Sequence, residues 1–281
     1  MQDTIVTIYC LCDDFLKAIE HRDDPQVKFT TAQAMTVPLV AACFFGGNIN
    51  QARLFLIEHG YITRPFSESR LNRRLHGVPF ELWHSLFGLL GEVFKQCNPT
   101  ADYIVDSLPI AACDNIRIRR CRLLGAPHSP EKEAHRGRIA SKRRYFFGLR
   151  VHLLVTGRGE PVEFVLAPGS EADIEVFKRF GLDLPTGSVI HADKAYTDYQ
   201  EEDLLQEAGG IKLFSQRRKN SKRPRPLWEE FLSHPIRKRI ETAFSRLTAW
   251  FPHRVQAVTQ RGFVLKLICF LVAFSIDCLS R

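Results

Sequence analysis

The feature that most limits how this chain can fold is a change of pattern near Asn98 and Pro99. Before it, apolar residues recur at intervals of three and four, which is typical of amphipathic helices. After it, short runs rich in Val, Ile, Phe and Tyr indicate strands, with helical stretches between them. We predict strands at residues 103–108, 145–155, 162–166, 188–192 and 211–214, and helices at residues 172–180, 198–207, 236–250 and 263–279.

This order of elements favours an α/β fold. Three consecutive strands, then helix, strand, helix, strand and terminal helices, is the order expected of an RNase H-like domain with a mixed sheet. We therefore predict such a domain at residues 99–281, preceded by a small all-helical domain at residues 1–98. Residues 128–144 (HSPEKEAHRGRIASKRR) have the composition of a polar, basic insertion between the first two strands, which we expect to be mobile.

The charge of the chain points to a polyanionic partner. The formal net charge is +8, and the first 100 residues carry nine Lys and Arg against ten Asp and Glu, so the basic excess lies in the remainder. Eight cysteines without a C-x-x-C pair predict free thiols in a reducing cytoplasm, and the N-terminus does not resemble a secretory signal. The apolar residues 263–279 are interrupted by Lys266 and Asp277, so we predict a buried terminal helix and no membrane span.

Three acids stand beside hydrophobic structure. Asp106 lies in the first strand, Asp193 at the end of the fourth, and Glu241 beside the apolar side of a helix. If they converge, they repel one another unless cations bind, and two Mg²⁺ ions, or Mn²⁺ in their place, suit such oxygen ligands. Spacing alone leaves alternatives open, because a chain with 31 acids offers many triplets. Asp193, for example, could simply cap the next helix.

The residues around two of the acids carry a family resemblance. Asp193 and Tyr196 match a D-x-G-Y motif, with Ala195 in the Gly position. In a Y-R-E-K pattern, Arg237 stands four residues before Glu241, as the pattern requires. His234 occupies the Tyr position of that pattern and Thr248 the Lys position.

Longer segments extend the match: DSLPIAAC, KLFSQRRKNSKR, RIETAFSRL and RGFVLKLICFLVAF. Together these residues resemble the DDE-type transposases of bacterial insertion sequences, and most closely the insertion sequence 982 family. The resemblance implies that residues 99–281 form a catalytic domain and that residues 1–98 serve DNA binding or dimerisation. It further implies that Asp106, Asp193 and Glu241 are the catalytic, metal-binding residues.

The implied activity is metal-dependent cleavage of DNA at insertion-sequence ends, followed by strand transfer into target DNA. The implied partners are the terminal inverted repeats, the target DNA and, on DNA, a second copy of the chain. Two alternatives stay open: an RNase H-like nuclease that does not join strands, and a non-catalytic DNA-binding relative.

Basic residues near the acids are the candidate DNA contacts. From Lys212 to Arg246 there are 11 Lys and Arg against 3 Asp and Glu, so phosphate contact is favoured over solvated charge. His191 and His234 are possible auxiliary residues. The predicted DNA contacts are Arg217, Arg218, Lys219, Lys222, Arg223, Arg237 and Lys238, with Lys194 and Tyr196 after the second acid and Arg70, Arg73 and Arg74 in the helical part.

Overall fold

The computed structural model describes residues 1–126, 129–139, 143–217, 220–252 and 255–279, apart from nine side chains in the helix Leu227–Trp250. The chain divides into two compact units. The first comprises Met1–Leu89 and Trp250–Arg281, and the second comprises Leu90–Ala249.

The first unit is helical, as the apolar spacing predicts. Short polar side chains start three of its helices: Thr30 forms a capping box with Gln33, while Asn48 and Ser67 each accept a hydrogen bond from a first-turn N–H. The helices are α1 (Gln2–Ala18), α2 (Thr31–Phe44), α3 (Ile49–Glu58), α4 (Glu68–Gly77), the first half of α5 (Phe80–Gln96), and α10 (Gln260–Leu279).

Two helices that are apolar on every side form the core of this unit. Most residues of α2 and α10 are buried, and the two helices pack against each other. Among the described residues, α10 is long and apolar enough to cross a membrane, with a mean hydropathy of 2.2, but 67% of that window is buried. Helices α2 and α3 pass the same test only as a pair, which is bent by 107°. The predicted buried terminal helix is therefore confirmed.

The position of α10 differs from the sequence-based division at residue 98. That division puts residues 263–279 with the strands, whereas α10 packs with the N-terminal helices. The physical reason is that a helix without a polar face must be covered on all sides, and α2 supplies apolar surface. The division into domains at 1–98 and 99–281 itself stays a prediction.

The second unit is built around a mixed sheet. Its order is β2-β3-β1-β5-β6, and β4 pairs with β3 beyond the end of β2. Strands β1, β3 and β4 are antiparallel, whereas β5 and β6 run parallel to β1 and to each other. The strands are β1 (Asp102–Cys113), β2 (Arg136–Ile139), β3 (Arg144–Thr156), β4 (Pro161–Pro168), β5 (Val189–Ala192) and β6 (Lys212–Ser215).

The connections complete a mixed α/β arrangement that fits an RNase H-like domain. All five predicted strands are present, and each predicted helix of this unit overlaps an observed one. The helices are α6 (Pro130–Ala134), α7 (Asp173–Phe177), α8 (Tyr199–Gly209) and α9 (Leu227–Trp250), with short 3₁₀ turns at Asn115–Arg120 and Lys194–Tyr196.

The polar, basic insertion predicted at residues 128–144 forms regular secondary structure in its described part. Residues 129–139 form α6 and β2, and β2 pairs with the start of β3. Lys132 is 2% exposed and donates from Nζ to the carbonyl oxygen of Cys121 at 2.6 Å. The polar composition of the segment did not predict α6 and β2, because a polar segment can still pair with an open strand edge. Residues 128 and 140–142 of the insertion lie outside the described residues.

A close backbone approach in the sheet gives a stability prediction. A Cβ on Gly148 in β3 would lie 1.9 Å from the carbonyl oxygen of Ile110 in β1. Gly148→Ala should therefore destabilise the protein by about 3 kcal/mol, because β1 and β3 must separate. Gly88→Ala on α5 is the control, since nothing lies within 4 Å of its added Cβ. Urea unfolding should show the loss for Gly148→Ala alone, and equal midpoints would contradict the strand packing.

Candidate active site

Parallel pairing of β1 with β5 brings two of the predicted acids together. The last parallel pair is Ile104 with His191, and Asp106 and Asp193 each follow two residues later, close enough for the charge of Asp193 to act on Asp106. Adjacent strands lie about 4.8 Å apart. Asp193 follows the end of β5 and is exposed, while Asp106 is half-buried within β1. Asp193 thus stands at the carboxyl end of β5, beside the point of β1 at which the parallel pairing ends.

Each of these carboxylates uses one oxygen locally. Oδ1 of Asp106 accepts a hydrogen bond from the N–H of Ser107 at 2.7 Å. Oδ1 of Asp193 accepts from the N–H of Ala195 at 2.6 Å, and Asp193 caps the 3₁₀ turn that follows. The capping contact suggested by the sequence is therefore present, and it does not take Asp193 away from Asp106.

The electrostatics confirm that the acids are close. The pKa of Asp106 is raised to about 6, mainly by burial and in smaller part by the charges of Asp193 and Asp173. The N–H of Ser107 and the charge of Arg150 act in the opposite direction. Mutual repulsion and partial burial therefore make the fully ionised cluster unfavourable by itself.

Asp173 is an acid that the sequence analysis missed. It is the first residue of α7 and is only 17% exposed. Burial raises its pKa, and so does the charge of Asp193, whereas Arg150 lowers it. Oδ1 of Asp173 lies 3.1 Å from Nη1 of Arg150. An acid in the first turn of a helix is common and does not by itself indicate a site. Only the position of Asp173 shortly after β4, the third antiparallel strand, could have indicated one.

Tyr196 does not fit the predicted phosphate contact. It is 1% exposed, and its hydroxyl lies 3.2 Å from Nδ1 of His152, which is itself fully buried. Burial raises the pKa of Tyr196 well above its usual value, as do Asp173 and Asp106. Burial also lowers the pKa of His152, to about 3. A neutral phenol and a neutral imidazole therefore pack against each other inside the unit, and the Tyr196 side chain is buried in this structure.

The third predicted acid, Glu241, lies on α9 with an exposed side chain. The described residues contain no group of three or more His, Cys, Asp or Glu side chains placed to hold a metal ion. The assignment of Glu241 as the third metal ligand therefore stays a prediction.

Two of the predicted DNA contacts have internal partners. Arg217 is 7% exposed, and both its Nη atoms lie 2.6 Å from the carboxylate oxygens of Glu202. Arg74 pairs with Asp23 and donates from Nε to the carbonyl oxygen of Phe29 at 3.0 Å. Both arginines join segments that are distant in sequence, so each has a structural task, and their predicted phosphate contacts stay predictions.

The other candidates divide by exposure. His191 is buried, with Nε2 3.4 Å from Oδ1 of Asp102, so its closest charged partner is Asp102 and not Asp193. Arg223 is exposed and pairs with Asp203. Arg218 and Lys219 lie outside the described residues, as do the side chains of His234 and Arg237. The remaining predicted contacts are exposed on the surface: Lys194, Lys222, Lys238, Arg70 and Arg73.

A basic groove runs along α9. It has a volume of about 720 Å³ and is lined by Gly157, Pro235, Thr242 and four cationic side chains. Of these four, only Lys238 is a DNA contact predicted from the sequence, and Arg158 reaches the groove from the turn between β3 and β4. The cationic residues are Arg158, Lys238, Arg239 and Arg246.

Comparison with known families agrees with this architecture. The sequence profile described as "Transposase DDE domain" matches residues 99–275, which is more than half of the chain. The chain belongs to this family. The match spans β1 to β6 and most of α10, and it includes all three predicted acids of the transposase DDE domain.

Two further comparisons add little to this family assignment. No curated protein sequence matches the chain. A solved structure, the cryo-EM structure of the piggyBac transposase synaptic complex with hairpin DNA, is similar with a TM-score of 0.35 and 13% sequence identity. That likeness covers 79% of this chain and 51% of the other, and it is too weak to support an argument.

The Arg217 pair gives a prediction that separates structure from DNA binding. Arg217→Met should cost about 3–5 kcal/mol, because it leaves the nearly buried Glu202 carboxylate without its partner. Arg223→Met, at an exposed pair in the same segment, should change the stability much less. Chemical denaturation measures both. Equal, small losses would mean that Arg217 is not a structural anchor.

Proposed function

We propose that this chain is a DDE transposase that cleaves DNA at the ends of an insertion sequence and joins the freed 3′ ends to target DNA. The observation that carries the proposal is the closeness of Asp106 and Asp193, where the parallel pairing of β1 with β5 ends, in a member of the transposase DDE family. Ligand sites in open α/β sheets gather at such strand ends. The motif residues noted above favour the insertion sequence 982 family.

The residues of the site suit divalent cations. Asp106 and Asp193 each keep an oxygen that is not used by the backbone N–H groups described above, and their ionised forms repel each other. Hard oxygen donors of this kind match Mg²⁺ or Mn²⁺. Asp106 and Asp193, with Glu241 as the third ligand, would hold two such ions. When bound, the ions activate the attacking water or 3′-hydroxyl and stabilise the leaving oxygen.

The protein's own residues would then position the DNA. The groove with Arg158, Lys238 and Arg239 offers positive charge on the surface of the unit that carries the acids. Phosphate neutralisation by such residues gives affinity without sequence preference. Because transposition joins two element ends, we also propose that a homodimer forms on DNA and that the chain acts in the cytoplasm.

Cleavage and joining of labelled DNA test the proposed chemistry. With Mg²⁺ or Mn²⁺ and a duplex carrying the element's own end, the unsubstituted protein should cleave the end and transfer the 3′ strand. Asp106→Asn, Asp193→Asn and Glu241→Gln should each reduce cleavage by at least about 100-fold, since each removes a proposed metal ligand. Glu175→Gln, an exposed acid on α7, is the matched control and should leave the rate unchanged.

Each negative result of this assay identifies a different alternative. Cleavage without joining would identify a nuclease, and binding without cleavage would identify a DNA-binding relative. Full activity of Glu241→Gln would remove Glu241 from the proposed site and leave the two aspartates.

The salt dependence of DNA binding tests the groove. Lys238→Gln combined with Arg239→Gln removes two exposed charges and should reduce the slope of log affinity against log salt by about 2, because each phosphate contact contributes about 0.9. Lys17→Gln combined with Lys28→Gln removes the same charge from exposed positions in the helical unit. Fluorescence anisotropy at several salt concentrations provides the slopes. The same slope for both double variants would contradict a specific contribution of the groove.

A further inference from the structure

Two large aromatic side chains stand exposed on the first turns of α9. Trp228 is 63% exposed and Phe231 is 76% exposed. Single exposed apolar residues are ordinary on a protein surface. Residues three apart on a helix are neighbours, however, so these two rings form one aromatic patch. Such a patch among polar residues is typical of an interaction site.

The aromatic patch lies on the same face of α9 as the basic groove. Pro235, Lys238 and Thr242 line that groove. From Trp228 through Phe231 to these three residues, the steps along the chain are three, four, three and four, which places all of them along one side of the helix. Trp228 precedes Pro235 by about 10 Å along the helix axis. The aromatic patch therefore continues the groove.

The charge of the groove indicates which partner fits this face. Of the described residues that line the groove, four are cationic and none is acidic. A second copy of the chain bound through the same face would bring like charges together, which opposes association. A DNA strand instead offers phosphates to the cations and flat base faces to the rings. Charge complementarity therefore favours DNA as the occupant.

The rings also restrict the form of DNA that fits. In a duplex each base is stacked between its neighbours, so its flat faces are covered. An unpaired base exposes both faces, and stacking on an aromatic side chain raises the affinity by about ten-fold or more per base. Cations and exposed rings on one surface are typical of proteins that bind single-stranded nucleic acid without sequence preference.

We propose that Trp228 and Phe231 bind unpaired DNA bases by stacking, at one end of the phosphate-binding groove that contains Arg158, Lys238 and Arg239. The inference rests on the proposed function, because phosphate binding by the groove belongs to it. It goes further by naming single-stranded DNA as the form that this face of α9 recognises.

Binding of two forms of DNA to the full chain tests the stacking. Fluorescence anisotropy, without divalent cations so that no DNA is cleaved, compares a short oligothymidylate with a blunt duplex of equal length. Trp228→Leu and Phe231→Leu keep an apolar side chain but remove the ring, so each should weaken binding of the single strand by about ten-fold. The duplex affinity should not change, since paired bases do not expose their faces. Trp228→Phe keeps a ring and should retain most of the affinity.

Tyr145→Leu is the matched control for the loss of an exposed ring. Tyr145 lies on β3 of the same unit and is 64% exposed, so its replacement should leave both affinities unchanged. Tryptophan emission gives a second readout, because a base stacked on Trp228 should quench its emission. In Trp228→Phe this quenching should disappear although the single strand still binds. Both leucine variants should keep the urea midpoint of the unsubstituted protein, because exposed side chains contribute little to stability.

The possible results separate this inference from the proposed function. Unchanged single-strand affinity in both leucine variants, or equal losses for the single strand and the duplex, would overturn the inference. The groove would still stand if Lys238→Gln with Arg239→Gln lowered the salt slope. A change of oligomeric state in light scattering, with unchanged single-strand affinity, would identify the patch as a contact between copies and also overturn the inference. Failure of the unsubstituted protein to bind either DNA would overturn both proposals.

Discussion

The parallel pairing of β1 with β5 is the interaction on which the rest of the site depends. Apolar residues set its register: Tyr103, Ile104 and Ile190 are fully buried, and a slip of one residue would turn each of them towards the opposite face. The acids stand just beyond these residues on both strands. Hydrophobic burial therefore brings Asp106 and Asp193 together, although the two carboxylates repel each other.

The surroundings of the acids reduce the cost of this repulsion. Arg150 supplies a positive charge, and carbonyl oxygens of Arg138 and Gly169 hold its guanidinium. Arg138 belongs to β2, so the polar segment between β1 and β3 contributes to the scaffold of the site. Near the carboxylates, Tyr196 and His152 are neutral and buried, which keeps further charge away from the sheet. The result is a rigid base with an acidic surface.

The sequence could predict the strands and the pairing of two acids because both depend on local patterns. Asp106 and Asp193 each follow an apolar run, and parallel pairing of two such runs brings the residues that follow them close together. The sequence could not reveal Asp173 or Arg150, since their meeting depends on how α7 returns to β3. It also assigned Arg217 to DNA, because a basic run does not show that Glu202 lies opposite one of its members. Long-range partners of charged side chains are set by the fold, and no spacing rule contains them.

The central claim is that Asp106 and Asp193 together form a divalent-cation site. Diffraction from Mn²⁺-soaked crystals, with anomalous data collected at the manganese absorption edge, tests it most directly. We expect an anomalous peak between the carboxylates of Asp106 and Asp193. A peak held by other side chains, or no peak at a Mn²⁺ concentration at which the protein cleaves DNA, would contradict it.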